Sequence, residues 1–221
     1  LPIIIISARS GHTGLDHLTH HSLLDISYLR CVPNLKILYP ATTTDFLESI
    51  LSEYQNLSMP TIILSPYGNQ LDDPEEEMYI DHEGRFEKSN SAKGIIFSIG
   101  PQNKNAINTK KELYDKGIIF DHIAVTQIQP ISKDLINIMH KYEYFITMEE
   151  GLLSGGFGSL ILEELQLNRN IPSIMRVGFE KIFIEHGTRD YIYEKYKLDS
   201  KSVVKRVIEK WPELVETSEI L

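Results

Sequence analysis

The polar residues that follow the first apolar segment of the chain are the strongest candidates for chemistry. Asp16, His17 and His20 lie close together in the sequence DHLTH, shortly after the apolar run LPIIIIS. In an open α/β sheet, ligands bind beyond the carboxyl ends of the strands, so polar side chains at such a position are candidates for substrate contact. A solvated loop rich in histidine explains the same spacing equally well.

The same segment contains residue types that could bind a metal ion. Imidazole and carboxylate groups are zinc ligands, and both kinds occur here, at His12, Asp16, His17, His20 and His21. The helical HExxH spacing, which would place two histidines on one face, is missing. The sequence therefore does not predict a metal site in this segment.

A glycine-rich turn and two adjacent carboxylates are the second group of candidates. The turn SGGFGS, residues 154–159, follows a predicted strand and opens a predicted helix, where backbone N–H groups could hold a phosphate. It matches neither GxGxxG nor the P-loop, so a tight turn with close helix–sheet packing is the favoured interpretation. Glu149 and Glu150 could act as acid and base, but adjacent residues on a strand point in opposite directions. One of them is expected to cap the turn.

Composition excludes several classes of function. The 221 residues include 31 acidic and 22 basic side chains, for a net charge of −9, which gives no electrostatic footprint for nucleic acid or an anionic membrane. The single cysteine, Cys31, excludes an internal disulfide and is consistent with a reducing compartment such as the cytoplasm. No apolar run reaches the length of a membrane span, and LPIIIIS lacks the charged flank and length of a signal peptide.

The elements that must position the first candidates alternate between strand and helix patterns. Residues 2–7 form a β-branched run that is too short for a helix and predicts a strand buried on both faces of a parallel sheet. Because chains seldom begin inside a central strand, we expect the natural protein to extend further toward the N-terminus. The pattern then predicts a strand at 35–39, a helix at 45–54 capped by Thr43 or Thr44, and a strand at 61–65.

A polar segment separates this series from a second one. Residues 68–90 include DDPEEE and few apolar residues, a composition typical of an exposed linker. Because strands and helices alternate again beyond it, we predict an α/β fold of two domains, each a mostly parallel sheet flanked by helices. The predicted divisions are an incomplete domain at 1–67, a linker at 68–93 and a second domain at 94–221. Strands of the second domain are predicted at 94–99, 118–125, 144–149 and 173–177, and helices at 103–116, 132–140, 156–167, 189–196 and 200–211.

Four motifs, spread over nearly the whole chain, occur together in one known enzyme family. Residues 16–20, DHLTH, are followed by DISYLRCVPN at 25–34, and the second half contains MEEGLLSGGFGS at 148–159 and RVGFEKIFIEHGT at 176–188. The first two resemble the DGPTH motif and the following run in the pyrimidine-binding domain of the transketolase family. The last two resemble motifs of its C-terminal domain. Arg9 lies seven residues before the aspartate of DHLTH. An arginine at this spacing resembles the 1-deoxy-D-xylulose-5-phosphate synthase branch of the family.

This resemblance implies thiamine diphosphate and Mg²⁺ as cofactors, and transfer of a two-carbon unit from a ketose or 2-oxo acid donor to an aldehyde acceptor. In the family, the pyrimidine-binding domain meets the diphosphate-binding domain of another subunit, which implies a homodimer or a separate diphosphate-binding subunit. The family's cofactor-protonating glutamate and its GDG…N metal motif have no match here. We therefore expect the Mg²⁺ ligands outside this segment, assign no cofactor-binding residue, and expect the segment alone to be inactive.

Carried over by position, the resemblance implies that Asp16 and His20 contact substrate oxygens. His20 could also move protons as a catalytic residue. Arg9 could hold a carboxylate or phosphate of the substrate, and a structural ion pair is its alternative role. Where the family has a phosphate-binding arginine, residues 64–68 read LSPYG, so a phosphorylated substrate is in question.

Two further interpretations stay open. The chain could be the pyrimidine-domain subunit of a split transketolase-like enzyme with an unphosphorylated substrate. It could also be a non-catalytic relative with a scaffolding role, which would explain why DGPTH has become DHLTH.

Overall fold

The computed structural model describes residues 1–67, 89–166 and 172–216. Strands and helices alternate along most of the chain, as the sequence predicts. The strands are β1 Ile4–Ser10, β2 Lys36–Leu38, β3 Thr61–Pro66, β4 Gly94–Ser98, β5 Phe120–Ala124, β6 Gln127–Gln129, β7 Tyr144–Leu152 and β8 Ser173–Phe179. The helices are α1 Asp25–Leu29, α2 Thr43–Asn56, α3 Asn103–Tyr114, α4 Lys133–Met139, α5 Phe157–Leu165, α6 Arg189–Tyr196, α7 Ser200–Lys210 and α8 Glu213–Glu216.

The strands form two four-stranded sheets. The order of the first is β1-β3-β2-β6, and that of the second is β5-β4-β7-β8. Every pairing is parallel except that of β2 with β6. The α/β class with two mostly parallel, helix-flanked sheets is therefore confirmed.

Apolar residues of the second sheet pack on both of its faces, because successive side chains of a strand point to opposite sides. On β4, Ile95 and Phe97 belong to a core cluster that also contains Ile37 and Leu64 of the first sheet. Ile96 instead packs in a second cluster with side chains of α3, α6 and α7. One hydrophobic core therefore joins the two sheets, and a second core lies under the outer helices.

The first strand differs from its prediction. β1 pairs in parallel with β3, but it lies at the edge of its sheet, and Ile5 and Ile6, on opposite faces, are 43% and 51% exposed. The prediction of burial on both faces is therefore wrong for the described chain. A β-branched run predicts a strand, but it does not say where in the sheet the strand will lie.

Local signals placed some elements well and missed others. α6 has its predicted bounds, but α2 begins earlier than predicted because Thr42, rather than Thr43 or Thr44, accepts the N–H of Asp45 at 3.0 Å. Strand β6 was not predicted, and it joins the first sheet although it follows the predicted linker. The DDPEEE segment lies outside the described residues, so the domain boundaries stay a prediction. In the described part of the chain, no helix is long and apolar enough to span a membrane.

Candidate functional site

The predicted polar loop leaves the first sheet at the carboxyl end of β1. Its base is closed by two backbone hydrogen bonds: Gly11 N–H donates to the carbonyl of Ser22 at 3.3 Å, and Ser22 N–H donates to that of Gly11 at 2.8 Å. Within the loop, Leu18–His20 form a single 3-10 turn. Residues 11–22 therefore form a closed loop at the edge where ligands bind in α/β sheets.

Three of the predicted site residues, Arg9 in β1 and Asp16 and His20 in the loop, meet at this position. Arg9 Nη1 donates to Asp16 Oδ2 at 2.9 Å, and His20 Nδ1 lies 3.8 Å from Asp16 Oδ1. The side chains of Arg9, Asp16 and His20 are 52%, 27% and 49% exposed. The pKa of Asp16 is lowered, chiefly because its carboxylate accepts the backbone N–H of His17. An ionised carboxylate, a guanidinium and an imidazole are thus presented together to solvent.

A backbone irregularity directs Arg9 toward this group. The pairing of β1 with β3 shifts register between Ala8 and Ser10, and Arg9 between them has φ of 67°. A residue other than glycine in this left-handed region costs about 1–2 kcal/mol, and such strain is concentrated at functional sites. The Arg9 guanidinium carbon lies 5.1 Å from the centroid of the Tyr67 ring. No local sequence pattern signalled this bulge.

Two other histidines of the loop face inward. The buried His12 stacks on the half-buried His21, with ring centroids 4.6 Å apart. His12 Nδ1 accepts the N–H of Gly14 at 3.3 Å, and His21 Nδ1 accepts that of Thr13 at 3.2 Å. Burial, with smaller contributions from His21 and Arg189, lowers the pKa of His12 to about 4. These imidazoles hold the loop together, whereas His20 projects from it.

The polar residues of this segment therefore form two groups. His12 and His21 form an inner pair, whereas Asp16 and His20 lie with Arg9 in an outer, solvent-exposed group. Across residues 1–67, 89–166 and 172–216, no three His, Cys, Asp or Glu side chains are grouped so that they could hold a metal ion.

The glycine-rich turn is occupied by one of the two predicted carboxylates. Glu149 accepts the backbone N–H groups of Phe157 at 2.8 Å and Gly158 at 2.9 Å, at the start of α5. Burial raises the pKa of Glu149 to about 7, although these two N–H groups oppose the shift. A Cβ on Gly156 would lie 2.2 Å from Glu149 Oε2. The prediction that one glutamate caps this turn is confirmed, and its carboxylate takes the N–H donors that a phosphate would use.

The neighbouring carboxylate has a partner that the sequence did not indicate. The side chain of Glu150 is fully buried, and Arg189 binds it through two contacts, Nε to Oε1 at 2.8 Å and Nη2 to Oε2 at 3.2 Å. Tyr193 donates its hydroxyl to Glu150 Oε1 at 2.8 Å. Burial raises the pKa of Glu150, and the charge of Arg189 opposes the rise. The only sequence signal for this pair was the acidic doublet itself.

The DISYLRCVPN motif packs against the glycine-rich turn. Arg30 Nη1 donates to the carbonyls of Gly155 at 2.8 Å and Gly156 at 3.1 Å, and Ser27 donates to that of Ser154 at 2.8 Å. These contacts span more than a hundred residues of sequence. The motifs recognised separately in the sequence thus meet in one interface between the two sheets.

Family comparisons agree with this arrangement. Residues 1–70 match the pyrimidine-binding domain of transketolase, and residues 84–203 match the transketolase C-terminal domain. The chain is 31% identical over 210 residues to 1-deoxy-D-xylulose-5-phosphate synthase of Parabacteroides distasonis, covering 94% of this chain and 33% of that enzyme. It is 32% identical over 211 residues to the synthase of Clostridium acetobutylicum, covering 94% and 34%. The chain thus spans about a third of the length of these curated relatives.

Solved structures share the fold. A split-gene transketolase, described as an inactive beta4 tetramer, superposes with a TM-score of 0.75 at 23% identity, over 99% of this chain and 67% of that one. Transketolase from Campylobacter jejuni gives 0.71 at 16% identity, over 93% and 31%. At these identities the likeness is one of fold.

Proposed function

Because this chain belongs to the transketolase family, we propose that it is the C-terminal portion of a thiamine diphosphate-dependent transferase. The proposed enzyme moves a two-carbon unit from a ketose or 2-oxo acid donor to an aldehyde acceptor, in a reaction similar to that of 1-deoxy-D-xylulose-5-phosphate synthase. The observation that carries this proposal is the convergence of Arg9, near the end of β1, with Asp16 and His20 of the loop that follows it.

Each of the three side chains has a distinct part in the proposed reaction. The ionised Asp16 can accept a hydrogen bond from a substrate hydroxyl, and the guanidinium of Arg9 can hold a carboxylate. The exposed imidazole of His20 can give or take a proton at a substrate oxygen, an assistance that typically contributes about 10²–10⁴-fold to the rate. The bound cofactor would supply the nucleophilic carbon.

In this proposal, the residues that bind thiamine diphosphate and Mg²⁺ lie outside this segment. The described loop offers polar side chains for a substrate, and none of its residues is assigned to thiamine diphosphate or Mg²⁺. We place the Mg²⁺ ligands outside the segment and the diphosphate site on a partner subunit, in a homodimer or on a separate chain. The exposure of Arg9 and His20 is compatible with a site completed by such a partner.

The substrate proposed for this site has no phosphate, or has its anionic group at Arg9. Residues 64–68, LSPYG, contain neither arginine nor lysine, and the ring of Tyr67 lies beside the Arg9 guanidinium. Arg9 is therefore the cation available to an anionic ligand on this loop, and such a ligand would compete with Asp16 for it.

Calorimetry on the full-length protein, with any partner subunit present, tests the cofactor. We expect binding of thiamine diphosphate that requires Mg²⁺. No detectable binding at millimolar cofactor would argue for the non-catalytic scaffolding relative.

His20→Ala compared with His21→Ala tests the site. The two residues are adjacent, but the His20 imidazole projects outward whereas His21 stacks on His12. We expect His20→Ala to lower kcat by about 10²-fold or more with little change in cofactor affinity. Because His21 helps to hold the loop together, equal and small losses in both variants, or a loss confined to His21→Ala, would show that the His20 imidazole takes no part in the reaction.

The second candidate is the pyrimidine-domain subunit of a split transketolase-like enzyme. This candidate is supported by the similarity in fold to a split-gene transketolase, which extends over 99% of this chain. Co-purification with a separate diphosphate-binding chain, and activity only in the mixture, would distinguish it from a single-chain enzyme.

A further inference from the structure

The loop of residues 11–22, here named the substrate loop after its proposed role, is held by residues of the second half of the chain. Besides its two contacts with Glu150, Arg189 donates from Nη2 to the carbonyl oxygen of His12 at 3.1 Å. The N–H of Gly187 donates to the carbonyl of Gly14 at 3.1 Å. Two peptide groups of the loop are therefore fixed by residues more than 170 positions away in the sequence.

The loop backbone also rests directly on the Glu150 carboxylate. Gly11 has φ of +81°, and a Cβ at this position would lie 2.2 Å from Glu150 Oε2. The backbone N–H of His12 is among the groups that stabilise the ionised form of Glu150 and so oppose the rise of its pKa on burial. Only glycine permits this approach, because it has no Cβ and tolerates positive φ.

Stability alone is a weak explanation for such an ion pair. Taking two charges out of water is costly, and well-packed apolar residues of similar volume are often as stable or more so. Here the cost is visible in Arg189 Nη1, which is buried and makes no hydrogen bond within the described residues. A pair of apolar side chains at positions 150 and 189 could not donate a hydrogen bond to the carbonyl of His12, as Arg189 does.

We propose that Glu150 of β7 and Arg189 of α6 are positioning residues that fix the substrate loop, a role that rests on the proposed function. Glu150 orients the guanidinium, and the guanidinium holds the peptide group of His12. That peptide lies between Arg9 at the end of β1 and Asp16 in the loop. Through these contacts, Glu150 and Arg189 keep the side chains of Arg9, Asp16 and His20 in fixed positions relative to one another. Neither residue touches the substrate.

Arg189→Lys separates positioning from charge. A lysine ammonium can still pair with Glu150, but it lacks the planar fork that reaches the carboxylate and the His12 carbonyl at once. Removal of the charge altogether would leave Glu150 buried and unpaired, so Arg189→Ala is expected to misfold. The matched control is Arg206→Lys, because Arg206 also donates from Nη2 to a backbone carbonyl, that of Arg176 at 3.0 Å, but this acceptor lies on β8 and not in the loop.

The first measurement is amide hydrogen exchange in the full-length protein, with its partner subunit if it has one. In Arg189→Lys, the hydrogen-bonded N–H groups of Thr13, Gly14 and Ser22 should exchange about tenfold faster or more, as expected for one lost charge-assisted contact. Exchange in α3 should stay unchanged, as should loop exchange in Arg206→Lys. Equal loop exchange in the two variants would overturn the proposal.

The second measurement is steady-state kinetics of the cofactor-loaded enzyme. Arg189→Lys should lower kcat/KM for the acceptor about tenfold or more and leave the Kd of thiamine diphosphate unchanged, whereas Arg206→Lys should match the wild type. Faster loop exchange with wild-type kinetics would overturn the positioning role. Wild-type protein that binds no cofactor would overturn the proposed function, and the exchange comparison would still show separately whether Arg189 holds the loop.

Discussion

Acidification should destabilise this protein through the buried imidazole of His12. Burial holds the pKa of His12 at about 4, whereas a histidine in the unfolded chain has a pKa of about 6.5. Because the folded value is the lower one, the unfolded chain binds the proton first. The contribution of His12 to stability is therefore intact above pH 6.5 and is lost as the pH falls from about 6.5 toward 4.

The difference between the unfolded and folded pKa values of His12 determines how much stability is lost. Each pH unit below 6.5 favours the unfolded state by about 1.4 kcal/mol, so His12 should remove about 2 kcal/mol by pH 5. For a chain of this length that is a decrease in Tm of about 4–8 °C. His122, which is buried and has its pKa lowered to about 3 by burial, adds a loss of the same sign.

The variant His12→Asn isolates the contribution of His12. The Asn Oδ1 can accept the N–H of Gly14 as Nδ1 of His12 does, but the amide does not titrate. Between pH 7 and pH 5, calorimetric scans should show the wild type losing about 4–8 °C more than the variant, since the other titrating groups, among them His122 and Glu149, are present in both. If both proteins lost the same amount, burial would not lower the pKa of His12 in the folded protein, and the reasoning would be refuted.

Three further variants test the interface and the substrate. Gly156→Ala should cost about 1–3 kcal/mol or more in the free energy of unfolding by urea, because its Cβ would lie 2.2 Å from Glu149 Oε2; a wild-type midpoint would show that the turn can relax. Arg30→Ala should cost about 1.5–3 kcal/mol in the same assay, because its hydrogen bonds to the carbonyls of Gly155 and Gly156 are lost. A loss of only a few tenths of a kcal/mol would show that this contact between the two motifs contributes little to stability. Tyr67→Arg should raise kcat/KM for a sugar phosphate about tenfold. If the wild type turned over glyceraldehyde 3-phosphate efficiently and the substitution had no effect, the proposal of an unphosphorylated substrate would be contradicted.

The sequence by itself determined those features that depend on chain geometry over a few residues. The alternation of apolar runs and helical periodicity located most strands and helices, and the bounds of α6 match because Thr188 caps its start. The opposite directions of Glu149 and Glu150 follow from the two-residue repeat of a strand. The motifs also placed Arg9, Asp16 and His20 near one another, since seven and four residues separate them.

Only the tertiary structure decided which distant groups meet. The three residues of β6 are too few to show a period, and they become a strand because β2 offers its edge. Arg189 finds Glu150 and the carbonyl of His12 across 39 and 177 positions, and nothing near Arg189 in sequence encodes either partner. The same holds for the exposure of β1, because burial depends on what packs against a strand and not on its own side chains. Local spacing determines the direction of a side chain, whereas its neighbours are set by the packing of the whole chain.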